Sequence, residues 1–113
     1  MPFDKGLLGG STPLLLLSLL NEGDRYGYEI IRTLSARSEQ AFAFQEGTLY
    51  PILHRMERAG WVRAYEKTAE GRRRRYYAIT DAGKKQLAAE TAQWRAFSGA
   101  VERVITGGAH ALA

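Results

Sequence analysis

Cysteine is absent from these 113 residues, which excludes a disulfide framework and a thiolate metal site and suits a reducing interior. Histidine is scarce: there are two, His54 and His110. No nucleophile elbow, phosphate-binding glycine loop or metal-ligand spacing accompanies them, so neither catalysis nor a cofactor is expected. Long hydrophobic runs are also missing. The longest, Pro13 to Leu20, falls far short of the roughly 20 residues that cross a bilayer. With no basic n-region and no small-residue cleavage site, a signal peptide is not read. A cytoplasmic protein without a membrane partner is the expectation. Hydrophobic content of 45% and charged content of 25% are ordinary, and the length suits one domain with a modest core.

What the chain does have is basic charge gathered in one place. Its net charge is +4. Between His54 and Arg75 there are eight basic residues and three acidic ones, a local excess of +5, so the rest of the chain carries −1. Four of the eight are consecutive, Arg72 to Arg75, directly before Tyr76 and Tyr77. Charge localised in this way favours a polyanionic partner over general solubility.

The order of elements follows from capping residues and periodicity. Residues 1–11, with Gly6, Gly9 and Gly10, read as a flexible arm. Thr12-Pro13 reads as a helix start, a hydroxyl cap before a proline whose missing N–H costs nothing there. The leucine run then continues to about Asn21, and being apolar nearly all round it implies burial on more than one side. A second helix is expected after Asp24 and on to about Arg37, with Tyr28, Ile31 and Leu34 inward and Glu29, Arg32 and Ser35 outward. A third runs from about Gly47 to Ala59, with Leu49, Ile52, Leu53 and Met56 at helical spacing. Trp61–Tyr65 and Tyr76–Thr80 are short, rich in aromatic and β-branched residues, and joined by a polar glycine-containing stretch, which predicts a β-hairpin. Thr80 or Asp81 caps a final helix to about Ile105, and residues 107–113 should fray. The divisions are an arm (1–11), a DNA-binding unit (12–80), a dimerisation helix (81–106) and a tail (107–113).

Three helices and a hairpin are the layout of a winged helix-turn-helix, a mostly α, α+β fold. In it the helix before the hairpin enters the major groove and the wing reaches the backbone or the minor groove. With Leu49, Leu53 and Met56 inward, the third helix turns outward Thr48, Pro51, His54, Arg55 and Arg58, with Tyr50 to one flank. A hydroxyl, an imidazole, two guanidiniums and a phenol are groups that bond phosphates and base edges. Alternation along a strand then divides the arginines. If Tyr77 and Ile79 face the core, Arg75 shares their side and braces the wing, Arg74 points away, and Arg72 and Arg73 lie at a looser tip. Arg72, Arg73 and Arg74 are the expected DNA contacts.

Four stretches together resemble the PadR family of transcriptional regulators: Gly27–Ile31, Gly47–Glu57, Gly71–Tyr77 and Ile79–Gly83. The likeness covers about residues 12–105 and is similar to the short subfamily, with a single helix after the wing. It implies a homodimer that binds an inverted-repeat operator in double-stranded DNA and is released by a small molecule. At Gln45-Glu46 the chain departs from the serine-proline-like helix entry of relatives; Glu46 can serve the helix dipole instead.

The final helix carries Trp94, Phe97, Val101, Val104 and Ile105, more apolar surface than a domain of this size can cover. Exposed, the stripe would be prone to aggregation, and a second copy of the chain would bury it. Trp94 as a bare residue suits a core as well as a ligand site. The resemblance implies that such a tryptophan stacks on flat hydrophobic effectors between subunits, which makes Trp94 and Phe97 candidates for a small planar aromatic effector. A repressor is the reading adopted. The alternative is a winged helix that serves as a protein- or RNA-interaction module without operator specificity.

Overall fold

The leucine run lies inside a helix that begins well before it. The computed structural model describes residue 3 and residues 5–107, and its first element, α1, spans Lys5–Glu22. Thr12 is therefore no cap. The residue is 3% exposed, and its hydroxyl donates back to the Leu8 carbonyl at 2.8 Å. Pro13 sits mid-helix, where its missing N–H leaves the Gly9 carbonyl without its usual donor. The expected arm is thus corrected over residues 5–11, and residues 1, 2 and 4 lie outside the described residues. Helical dihedrals across Gly6, Gly9 and Gly10 were hidden by the low propensity of glycine.

The remaining elements are β1 (Arg25–Tyr26), α2 (Gly27–Arg37), α3 (Glu46–Arg58), β2 (Val62–Ala69), β3 (Arg72–Ile79) and α4 (Asp81–Ile105). The fold is mostly helical with one antiparallel three-stranded sheet in the order β1-β3-β2. Register pairs Val62 with Ile79, Ala64 with Tyr77 and Ala69 with Arg72, while β1 adds Arg25 opposite Tyr77 and Tyr26 opposite Tyr76. Leu16, Leu17 and Leu20 of α1 meet Ile30 of α2, Leu49 and Leu53 of α3 and Tyr77 of β3 in one core. Burying each such side chain is worth about 1.5–3 kcal/mol.

Two expectations about α2 change. Its buried residues are Gly27, Ile30 and Leu34, Ile31 packs partly buried against the same core as expected, and Tyr28 is exposed. The helix also starts two residues later than expected, with Tyr26 and not Asp24 at the N-cap, because Arg25 and Tyr26 pair with β3. Near the other end of the sheet, Thr80 caps α4: its hydroxyl accepts from the Gly83 N–H at 3.0 Å and donates to the Gly60 carbonyl at 2.5 Å. Gly83 is needed there, since a Cβ would lie 2.1 Å from the Trp61 carbonyl oxygen.

The molecule measures 62 × 29 × 21 Å, with a radius of gyration of 16.6 Å. A compact chain of this length would have about 13 Å. Residues 108–113, which include most of the expected tail, lie outside the described residues.

Candidate nucleic-acid interface

Gln45 is the N-cap of α3 but makes no side-chain capping bond, and Glu46 supplies the first-turn negative charge that the helix dipole favours. The helix buries Leu49, Leu53 and Met56 and exposes Thr48, Pro51, His54, Arg55 and Arg58. Thr48, Arg55 and Arg58 recur at intervals of seven and three and so run down one side, with His54 one turn before Arg58. Arg55 also borders a hollow of about 360 Å³ shared with Pro13 of α1 and Trp61. Tyr50 departs from the others. It is half-buried, and its hydroxyl stands where a Cβ on Gly27 would be, 2.3 Å from the ideal position. Burial, then the Glu46 carboxylate and Tyr77, holds its phenol above the ordinary value. Its first contact is therefore with the N-terminus of α2.

The wing is longer and more regular than its sequence suggests. Only Glu70 and Gly71 turn the chain, both at positive φ (54° and 74°), the two-residue reversal that matches strand twist. Arg72 and Arg73 accordingly lie on β3, opposite Ala69 and Thr68, and not at a loose tip. Alternation gives the arginines different neighbours. Arg75 reaches both carboxylate oxygens of Glu57 on α3 at 3.4 Å. Arg73 pairs with Glu66 across the hairpin. Arg74, on the opposite face, lies 4.3 Å from the centre of the Tyr26 ring. That face continues as Tyr26, Tyr76 and Tyr65, edge-on and then stacked, with Lys67 above Tyr76 at 4.7 Å. The Tyr65 hydroxyl donates to Asp24 at 2.6 Å, and this bond raises its pKa.

Between α2, the start of α3 and the wing runs a groove of about 530 Å³ whose walls include Arg32 and Arg72–Arg75. Tyr28 lines it too, with the Arg32 guanidinium 5.8 Å from its ring centre. Neither Tyr28 nor Arg32 was a site residue by sequence. Tyr28 was assigned to the core stripe, and the only signal against that was its four-residue spacing from an arginine.

Trp94 and Phe97 are 47% and 60% exposed and border a second groove, of about 320 Å³, between α4 and Gly6, Gly10, Ser11 and Leu14 of α1. Glu90 joins them. Its Oε2 is buried without a hydrogen-bond partner among the described residues, and burial raises its carboxyl, partly offset by Gln86. Val101, Val104 and Ile105 continue the exposed apolar stripe. No helix among the described residues is long and apolar enough to cross a membrane.

Residues 16–89 match the transcriptional regulator PadR-like family. A protein of Lysinibacillus sphaericus is 36% identical over 89 residues, which cover 78% of this chain and 82% of its relative. A transcriptional regulator from Clostridium thermocellum superposes with a TM-score of 0.81 at 31% identity, covering 88% of this chain and 97% of its own. A PadR-like transcriptional regulator from Bacillus cereus does so at 0.81 and 29%, covering 91% and 99%.

Proposed function

The chain belongs to the PadR-like family of transcriptional regulators, and we propose on that footing that it is a homodimeric repressor of an inverted-repeat operator. The observation that carries the reading is a pair of exposed basic elements, α3 and the wing, linked by the Arg75–Glu57 contact. The exposed Thr48, His54, Arg55 and Arg58 of α3 offer groups for base edges and phosphates. The wing contributes Arg72 and Arg74 for the backbone, and Arg73 only on release from Glu66. Tyr50 takes part by setting how α3 meets α2, and reads a base edge only from that constrained position.

Dimerisation through Trp94, Phe97, Val101, Val104 and Ile105 covers the apolar stripe of α4 and presents two recognition helices about one DNA turn apart. A small planar aromatic effector against Trp94 and Phe97 would act at that interface. It would release DNA only by binding more tightly to the dimer whose helix spacing misfits the operator.

Gel-shift titration tests the reading, with duplex from upstream of the chain's own gene, random duplex of equal length, and RNA. Preference for the upstream duplex, relieved by a planar aromatic compound, is the expected result. Equal affinity for all three would leave an interaction module without operator specificity.

A further inference from the structure

We propose that the groove between α2 and the wing seats the DNA sugar–phosphate backbone, held by two tyrosine-backed arginines, Arg32 and Arg74. The inference rests on the DNA-binding reading above and adds to it a second element, α2, and two tyrosines that no DNA contact had been assigned.

The groove is lined by five guanidiniums, Arg32 and Arg72–Arg75, against two carboxylates, Glu46 and Glu70. The five are not equivalent. Arg73 and Arg75 already face Glu66 and Glu57. Arg75 also has the Tyr77 ring at 5.8 Å, but Arg32 and Arg74 pair with no carboxylate among the described residues and lie near tyrosine rings alone, at 5.8 and 4.3 Å from the centres of Tyr28 and Tyr26. A guanidinium against an aromatic face keeps its charge, and its N–H edge stays free to meet two phosphate oxygens side by side. An ion pair with a carboxylate would occupy that edge. The tyrosines flank Gly27, and this fixes the arrangement: Gly27 is buried against the Tyr50 hydroxyl, so the chain on either side of it is pinned to α3. Tyr28 has no core to fill. It is 53% exposed and stands in the wall of the groove. One arginine comes from α2 and the other from the wing, so a strand lying between them would be gripped from both sides.

Salt dependence of binding separates this from a solvated charge patch, and a backbone contact is read equally on any sequence. Affinities for the upstream duplex and for random duplex would be measured across a salt series for Arg32→Ala, Arg74→Ala, Arg32→Lys and Tyr28→Ala. Arg32→Ala and Arg74→Ala should each flatten the slope of log K against log salt by about 0.9, on both duplexes alike. Arg32→Lys should keep the slope while losing affinity, because the charge remains without the forked edge. Tyr28→Ala should do the same, roughly threefold, by releasing the guanidinium it backs. Arg32→Ala with a wild-type slope and an unchanged circular dichroism spectrum would overturn the proposal. Absence of upstream preference in the unmodified chain would count instead against the repressor reading, since the slope on random duplex would still report the groove.

Discussion

Glycine is required at position 83 for a reason that differs from the one at position 27. At Gly83 the obstacle to a side chain is main chain: the Trp61 carbonyl oxygen would stand 2.1 Å from a Cβ. At Gly27 the obstacle is the outer end of the Tyr50 side chain, which can swing. Gly83→Ala should therefore lower stability by about 1–3 kcal/mol in chemical denaturation, even after the gain in helix propensity. Glu90 gives a prediction of opposite sign. Its folded-state carboxyl is raised above the ordinary 4.5 by burial, so the folded protein holds that proton more tightly than the unfolded chain. Stability that depends on the proton is intact below 4.5 and is lost as pH rises through the raised value. Glu90→Gln should then be the more stable protein at neutral pH, with the advantage vanishing in acid. Thermal melts at pH 4 and pH 7 would show it.

At the level of elements, the wing turn is the place to add stability. Glu70 occupies the left-handed region at φ 54°, where a residue other than glycine or asparagine costs about 1–2 kcal/mol. Glu70→Asn creates the Asn-Gly pair that this two-residue turn favours, and should raise stability by about 0.5–1 kcal/mol without altering β2–β3 register. The denaturation midpoint measures it. The same wing shows where sequence reading succeeded and where it stopped. Trp61–Tyr65 and Tyr76–Thr80 announced a hairpin through aromatic and β-branched residues. The charged stretch Glu66–Ala69 was taken as connection and Arg72 and Arg73 as a loose tip, because solvated strands carry no apolar alternation. β1 left no local signal at all. Two residues cannot display a period, and Arg25 and Tyr26 are strand only because Tyr76 and Tyr77, fifty residues later, pair with them. The two faces of α3 were legible, since Leu49, Leu53 and Met56 mark one and so define the other. The groove was not, since it depends on how α2 and the wing meet, which no spacing within either one encodes.

For the whole molecule, the proposed dimer rests on the exposed end of α4. Val101 and Val104 are 37% and 79% exposed, and charge at either would be stranded in an apolar interface. The pair Val101→Asp and Val104→Asp should yield a folded monomer, with mass measured by light scattering. Operator affinity should fall by well over tenfold, because each half-site would then be bound independently. The 62 Å length matters for how that result is read. A particle three times as long as it is thin meets more hydrodynamic drag than a sphere of the same mass. A 12.6 kDa monomer of this shape should leave a sizing column early, at a volume that compact standards would assign to a heavier protein. Early elution of the double variant is thus an expected signature of the lone chain, and of its long helix turning in water.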